Sequence, residues 1–420
     1  MAEEIILDCG VRIITEKNTM VRSAALGIWV ASGSIYENDD INGISHFIEH
    51  MMFKGTDKRS ARKIAEDMDR IGATFNAMTG KESTCYYVKT LTSNIYEGAE
   101  ILLDMVLGSR FDTEEMDKER QVILEEIKMV KDTPDDEIYD TILELVNQGN
   151  PLSRSILGSP ESLAGIDHDK IVEYYRKRYA REGIIVAVAG NFDEDKIVKL
   201  FEDKMKVLNE KLPPYERVIK PYEKTFDVKV RDIEQSHICL AVPGVSYVDD
   251  MYYASVLMNS ILGGSMSSRL FQNIREQKGL AYTVASMNSF NSFTGSFIIY
   301  AGIAHENIAK TIKEIRYELE NLAEHGVTEE ELAIAKEQVK TSYIFSLENP
   351  ATLMFSLGRN KLLMDRLFSV DESLANYNAV TTQDILKAAE MVGNLDEYCA
   401  AAETNREIDL KELIDESKNQ

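Results

Sequence analysis

The two halves of the chain carry the same order of sequence features, and this internal repeat constrains the fold more than any other feature. A turn at Gly72 precedes a strand-like segment in the first half, and a turn at Gly279 precedes one in the second. An acidic helix start at Thr113 has its counterpart at Thr328. The offset is 207 residues between the glycines and 215 between the helix starts, so the copies differ by small insertions. A repeat of this length indicates a duplicated domain, because the units of a solenoid are only about 20–50 residues long.

Each copy mixes strands that lie close in sequence with amphipathic helices, which predicts an α+β fold. We expect two duplicated domains, each a mostly antiparallel β-sheet with helices packed on one face. A proline-containing stretch marks the boundary between them. The predicted domains are residues 1–211 and 222–420, joined by a linker at 212–221. The strands expected in the first copy are 4–15, 24–31, 74–79, 83–89 and 184–189, and its helices are 61–71, 94–107 and one from Thr113 toward Pro134.

The charge and composition exclude several classes of function. The formal net charge is −24, which disfavours a nucleic-acid partner because phosphate binding needs a basic surface. An acidic interior could attract basic peptides, although a solvated surface explains the charge more simply. The sequence shows neither a signal peptide nor an apolar run long enough for a transmembrane helix, so we expect no membrane association. The four cysteines form no C-x-x-C pair, which suggests a reducing, cytoplasmic location.

The clearest chemical pattern is His46, Glu49 and His50, spaced H-x-x-E-H. Positions i, i+3 and i+4 share one face of a helix, so two imidazoles and a carboxylate project together. A hydrolytic zinc site needs such nitrogen ligands with a carboxylate beside them as proton acceptor. The second copy has no counterpart, since residues 255–261 read SVLMNSI. The sequence therefore predicts one metal site per chain, in the first domain only.

The pattern leaves the third protein ligand open, because catalytic zinc usually takes three. The remaining histidines lack ligand-like spacing, and each is more simply a surface or core residue; they are His168, His237, His305 and His325. Carboxylates on the long acidic helix are better candidates, namely Glu119, Glu125 and Glu126. Glu119 and Glu126 are two turns apart and share a face, but a row of carboxylates is usually a solvated surface.

The chain resembles the pitrilysin/insulysin family of zinc peptidases, which includes the mitochondrial processing peptidase. The resemblance rests on GISHFIEHMMFKGT at 43–56 and ERQVILEE at 119–126, and it extends to the duplication. It looks most like the bacterial processing-peptidase-like branch. The resemblance implies that Glu126 is the third zinc ligand, that Glu49 is the catalytic base and that Glu119 supports the site.

Substrate-binding residues are also implied by the resemblance. Phe75, Asn76 and Ala77 match a segment at a sheet edge where an extended substrate backbone is held, which is β-augmentation in physical terms. Arg275 and Tyr282 match a pair that grips substrate and steadies the developing oxyanion. Without the resemblance, these residues would be read as a plain strand, a surface arginine and a packed tyrosine.

The family builds a clam-shaped chamber from four domains, and this chain supplies two. We therefore expect a dimer, in which Arg275 and Tyr282 act across the interface. A homodimer would be self-sufficient, and a heterodimer with a metal-free relative is the alternative. The expected function is a zinc-dependent endopeptidase, with one Zn²⁺ per chain, acting on unfolded peptides or presequence-like segments. The alternative function is a non-catalytic assembly or peptide-binding subunit.

Overall fold

The protein forms two compact units in a computed structural model that describes residues 2–215 and 219–418. Unit 1 comprises Met1–Lys128, Arg154–Val218 and Ile344–Ser369. Unit 2 comprises Met129–Ser153, Ile219–Tyr343 and Val370–Gln420. Residues 216–218 of the predicted linker lie outside the described residues.

The sheet of unit 1 is antiparallel except for one parallel pair. Its strands are β1 (Glu3–Ile6), β2 (Arg12–Lys17), β3 (Ser23–Val30), β4 (Thr74–Thr79), β5 (Thr84–Leu91) and β6 (Ile184–Gly190). They lie in the order β1-β2-β6-β3-β5-β4, and β2 runs parallel to β6. The apolar run of β6 is buried along its whole length, as a central strand requires. β4 alternates between exposed and partly buried residues and lies at the end of the strand order.

The sheet of unit 2 repeats this topology. Its strands are β7 (Phe226–Val230), β8 (Ser236–Gly244), β9 (Ala281–Phe290), β10 (Gly295–Ile303) and β11 (Cys399–Thr404). Their order is β7-β11-β8-β10-β9, with β7 parallel to β11. This is the order of the first sheet without β1. The corresponding strands are β7 and β2, β11 and β6, β8 and β3, β10 and β5, and β9 and β4. The predicted fold class, α+β with two duplicated and mostly antiparallel sheets, is confirmed.

Helices follow the same repeat. Those beginning in the first half are α1 (Ile44–Met52), α2 (Ala61–Arg70), α3 (Ile95–Gly108), α4 (Thr113–Asp132), α5 (Pro134–Val146), α6 (Pro160–Gly165), α7 (His168–Arg178) and α8 (Glu194–Glu202). Those of the second half are α9 (Tyr252–Leu262), α10 (Ile308–His325), α11 (Glu329–Leu347), α12 (Pro350–Met364), α13 (Val370–Ala379), α14 (Thr382–Val392) and α15 (Leu410–Glu416). A π-helical turn at Phe271–Gln277 precedes β9. Within the described residues, no helix is both long and apolar enough to span a bilayer.

The two halves exchange one helix each. α12, from the second half, belongs to unit 1, where Met354 and Leu357 pack with Trp29 of β3 and Ile185 of β6. The fit is close, because a Cβ added at Gly358 would lie 2.0 Å from the Trp29 Nε1 atom.

α5, from the first half, belongs to unit 2 in the reciprocal way. Its apolar side chains Ile138, Ile142 and Val146 are buried together with Cys239 of β8 and Cys399 of β11. Each sheet therefore has its own helices on one face and a single exchanged helix on the other. The predicted division into 1–211 and 222–420 made each domain continuous. In the compact units, Met129–Ser153 belongs to unit 2 and Ile344–Ser369 belongs to unit 1.

Candidate metal centre

The His46–His50 pattern lies on α1, as its spacing predicts. The apolar side chains of the helix, including Phe47, Ile48 and Met51, are buried in the main core of unit 1. His46 is buried as well, while Glu49 and His50 are partly buried. Core packing of one face therefore fixes the direction in which the histidine face points.

Glu126 completes a cluster with the two histidines. The Oε2 atom of Glu126 lies 3.7 Å from the Nε2 atom of His46 and 3.7 Å from that of His50. One ligand atom from each of the three residues lies within 4.8 Å of the other two. Within the described residues, these three side chains form a cluster of potential metal ligands. Contacts of 3.7 Å are too long for hydrogen bonds, which span about 2.7–3.2 Å. Two ligands at ~2.1 Å from a tetrahedral zinc ion lie about 3.4 Å apart, so the three residues fit zinc.

The protonation of His46 also suits a metal ligand. Burial, followed by the charge of the nearby His50 ring, lowers the pKa of His46 to about 3. The ring is therefore neutral near pH 7, and its Nε2 atom can offer a lone pair to a cation.

Glu119 anchors the other histidine. Its Oε2 atom lies 3.1 Å from the Nδ1 atom of His50, and its Oε1 atom lies 2.6 Å from the ammonium nitrogen of Lys54. A carboxylate on the far nitrogen of a metal-binding histidine fixes the ring orientation and its tautomer. Lys54 compensates the charge of Glu119, which is buried. The sequence placed Glu119 beside the site but did not identify Lys54, which lies four residues after His50 and just beyond the end of α1.

Glu49 projects beside the cluster and contacts the end of β4. The Thr79 hydroxyl donates a hydrogen bond to the Oε2 atom of Glu49. Partial burial raises the pKa of the Glu49 carboxyl, and the Thr79 hydrogen bond opposes this shift. A raised pKa suits a group that must accept a proton and release it again. The sequence did not single out Thr79, which reads as an ordinary strand residue.

The predicted edge-strand residues Phe75, Asn76 and Ala77 lie in β4, the strand that ends at Thr79. Among the described residues, β4 pairs with β5 alone, so its outer edge has no strand beside it. The amide N–H of Ala77 donates to the side-chain oxygen of Asn76 at 2.9 Å. The Phe75 ring lies 5.9 Å from the ring of Phe53, just after α1. The segment thus runs along the same helix that carries the histidines.

Arg275 and Tyr282 belong to unit 2, whereas the histidines and Glu126 belong to unit 1. The Arg275 guanidinium lies 5.7 Å from the centre of the Tyr282 ring and 4.7 Å from that of Phe271. Tyr282 is 72% exposed. The two predicted substrate-gripping residues therefore lie close to each other and reach solvent.

The other candidates for a third ligand lie elsewhere. The Glu125 side chain is 70% exposed and pairs with Lys128 at 2.7 Å. His237 is bonded to the Tyr300 hydroxyl, and His305 to the Ser236 hydroxyl. In unit 2, the helix that matches α1 in the repeat is α9, whose residues YYASVLMNSIL contain no metal-binding side chain of the His, Cys, Asp or Glu type.

Comparisons with known proteins identify the family to which the chain is similar. Residues 12–160 match the family described as insulinase (peptidase family M16), and residues 165–339 match the peptidase M16 inactive domain. The second match covers most of the sheet that lacks histidine ligands.

Two relatives carry zinc protease names. A Bacillus subtilis protein named uncharacterized zinc protease YmxG is 39% identical over 382 residues, covering 90% of this chain and 92% of the relative. A Streptomyces coelicolor protein, also named an uncharacterized zinc protease, is 37% identical over 391 residues, covering 91% of this chain and 85% of the relative.

Solved structures show the same fold at low identity. A peptidase M16 inactive domain from Pseudomonas fluorescens has a TM-score of 0.89 at 18% identity, covering 97% of this chain and 98% of the other. A protease from Helicobacter pylori has a TM-score of 0.87 at 20% identity, covering 96% and 99%. Together with the sequence matches, the fold and the cluster on α1 and α4 lead to one conclusion: the chain belongs to the insulinase family of peptidases, family M16.

Proposed function

We propose that this protein is a zinc-dependent endopeptidase whose metal is held by His46, His50 and Glu126. The observation that carries the proposal is the convergence of the two Nε2 atoms on Glu126 Oε2 at 3.7 Å each, with the Glu49 carboxylate beside them. A bound zinc ion would supply a Lewis acid that lowers the pKa of its water to about 7. The zinc protease names of the relatives support the choice of metal.

Glu49 would act as the general base and then as the general acid. Its carboxylate takes a proton from the attacking water and delivers it to the leaving amine. The hydrogen bond from Thr79 holds the carboxylate in one orientation. Glu119 holds the ring of His50 through its Nδ1 atom. The Glu49 carboxylate and the His50 ring are therefore both oriented before the reaction.

The substrate would bind as an extra strand on the outer edge of β4. The N–H of Ala77 donates to the side-chain oxygen of Asn76, and a substrate carbonyl would take the place of that oxygen. Main-chain hydrogen bonds give affinity with little sequence reading, which suits unfolded peptides or presequence-like segments. A folded protein has most of its backbone N–H and C=O groups already paired, so it offers few free extended segments for such pairing.

Arg275 and Tyr282 would complete the site from a second subunit. Arg275 is always charged and Tyr282 offers a neutral donor, and both suit a developing oxyanion. A homodimer of this chain would contain both halves of the machinery, enclosed in a chamber of four domains. The alternative partner is a metal-free relative in place of one subunit. The cytoplasmic location stays a prediction.

A quenched-peptide assay tests the activity. We expect cleavage of unstructured peptides by the zinc-loaded protein, loss of cleavage with a chelator, and recovery when zinc is added back. Absence of cleavage over a broad peptide set, by protein that holds one zinc ion per chain, would refute the enzyme and favour the non-catalytic subunit.

Subunit complementation tests the dimer. We expect Glu49→Gln and Arg275→Ala each to be inactive alone. Mixed after dissociation, they should recover activity, because the subunit with intact Glu49 receives intact Arg275 from its partner. Random pairing restores about a quarter of the wild-type sites, since half of the dimers are mixed and each has one working site. No recovery, with mixed dimers demonstrated, would place Arg275 in the same subunit as its metal or outside the site.

A further inference from the structure

The two histidines of the metal centre are held in different ways. His50 is anchored through its ring, whose Nδ1 atom bonds to Glu119. The Nδ1 atom of His46 is buried and has no hydrogen-bond partner among the described residues. The direction of the His46 ring therefore depends on packing and on the backbone of the first turn of α1, where His46 lies.

The first turn of α1 cannot be capped by the residue at its own N-cap position. That residue is Gly43, whose φ of +92° is in the left-handed region. A Cβ there would lie 2.7 Å from the carbonyl oxygen of Leu157 and 3.0 Å from the Cα atom of Gly158. Serine, threonine, aspartate and asparagine, which usually accept hydrogen bonds from the first turn, are thus excluded at this position.

Glu37, six residues before the N-cap, supplies the missing acceptor. Its Oε2 atom accepts from the backbone N–H of Gly43 at 2.7 Å, and its Oε1 atom accepts from the N–H of Ser45 at 2.9 Å. The side-chain amide of Asn42 donates to Oε2 at 2.9 Å. The Glu37 side chain is only 5% exposed, and an anion is favoured at a helix N-terminus.

The residue next to His46 is held on both its main chain and its side chain. The N–H of Ser45 is bonded to Glu37, and the Ser45 hydroxyl lies 2.9 Å from the hydroxyl of Tyr174 and 3.3 Å from that of Ser32. A shift of the Glu37 carboxylate would therefore move the backbone that carries His46. Such a shift would leave the Glu119 contact of His50 in place.

We infer that Glu37 is a positioning residue for the zinc ligand His46, in the role that Glu119 has for His50. The inference rests on the proposed zinc site. Among the described residues, the hydrogen bonds of Glu37 go to Asn42, Gly43 and Ser45, so it acts through the first turn of α1. Loss of an outer residue that orients a metal ligand typically weakens metal affinity about 10- to 100-fold.

The test is Glu37→Gln in the full-length protein. The amide keeps the size of the side chain but replaces one acceptor oxygen with a donor, which then faces an N–H of Gly43 or Ser45. We expect the dissociation constant for zinc, measured by competition with a chelator, to rise about tenfold or more. The visible absorption of the cobalt(II)-loaded protein, which depends on ligand geometry, should change as well.

Two further variants separate positioning from general loss of stability. Asp409→Asn is the matched control, since Asp409 caps α15 in unit 2 by accepting from the N–H of Glu412 at 2.9 Å. It should leave zinc affinity and the cobalt spectrum unchanged. Asn42→Ala keeps the carboxylate but removes one of its donors, so it should alter both properties in the same direction as Glu37→Gln and by less. It also serves if Glu37→Gln does not fold.

The outcomes are distinct. A wild-type protein that binds no zinc would contradict the proposed function itself. The positioning role alone would be overturned if folded Glu37→Gln had wild-type zinc affinity and an unaltered cobalt spectrum. If Glu37→Gln does not fold, the same result in Asn42→Ala would overturn it. This holds even if the melting temperature falls, because a purely structural cap would lower stability without changing the metal geometry.

Discussion

A methyl group added at Gly358 tests whether α12 covers the sheet of unit 1. The Cβ of Gly358→Ala would lie 2.0 Å from the Nε1 atom of Trp29 and 2.3 Å from its Cδ1 atom, far inside the ordinary carbon contact of about 3.5–4.0 Å. Trp29 is 5% exposed on a central strand and has little room to retreat. The helix must therefore move away from the strand.

The size of the effect follows from two opposing contributions. Overpacking of a core costs about 1–3 kcal/mol, and a clash this close belongs at the upper end. Alanine in place of glycine inside a helix gains about 1 kcal/mol. The net loss is about 2 kcal/mol, which lowers the melting temperature of a unit of this size by roughly 4–8 °C.

Trp29 reports the change directly, because it is the single tryptophan of the chain. Its buried Nε1 atom has no hydrogen-bond partner among the described residues, so we expect blue-shifted emission that moves to longer wavelength in Gly358→Ala. The measurement is the midpoint of thermal unfolding followed by this emission, since a chain of two units need not unfold in one step.

Gly165→Ala is the matched control, because the nearest atom to a Cβ there is 3.8 Å away. It should leave the midpoint unchanged or raise it slightly, by reducing the freedom of the unfolded chain. A Gly358→Ala protein that melts like this control, with unchanged Trp29 emission, would refute the packing of α12 against β3 and with it the place of α12 in unit 1.

Two further predictions concern the metal centre. Glu119→Gln should weaken zinc binding about 10- to 100-fold in a chelator competition, because the ring of His50 loses its charged partner. Unchanged zinc affinity would show that Glu119 only neutralises Lys54. Thr79→Val should lower kcat roughly tenfold or more with little effect on KM or zinc content, because a hydrogen bond to a charged group contributes about 1.5–3 kcal/mol. A wild-type kcat in steady-state kinetics would mean that Glu49 is oriented without Thr79.

The sequence predicted what depends on local spacing. The i, i+3 and i+4 positions of His46, Glu49 and His50 determine a shared helical face, and the structure has them on α1. The long helix from Thr113 and the repeat at Thr328 are likewise present as α4 and α11. Each of these features is set by residues within a few turns of one another, so helical periodicity suffices to find them.

Features that depend on distant contacts were not accessible in this way. Spacing alone left Glu119, Glu125 and Glu126 open, because it does not say which face of α4 meets α1. The capping role of Glu37 was missed, since a carboxylate before a loop gives no signal of which N–H it will accept. The strand expected at 4–15 is two strands, β1 and β2, because Gly10 has a φ of +89° and the chain turns there.

The exchange of α5 and α12 was missed for a related reason. The apolar spacing of Ile138, Ile142 and Val146 predicts a helix with one buried face, but it does not identify the sheet that this face covers. A short connection from α4 suggests a neighbour in the same domain, whereas the structure has α5 against the other sheet. The roles of Arg275 and Tyr282 in a dimer stay predictions that the complementation experiment addresses.

The central claim is that three residues hold zinc while Glu49 moves the proton, and zinc content measured together with turnover in Glu49→Gln tests it most directly. The amide keeps the size of the side chain but cannot accept a proton, and general acid–base catalysis contributes about 10²- to 10⁴-fold. The account predicts one zinc ion per chain in this variant and a kcat reduced by at least about 100-fold. A variant that loses its zinc, or that retains zinc and cleaves peptide at the wild-type rate, would contradict it.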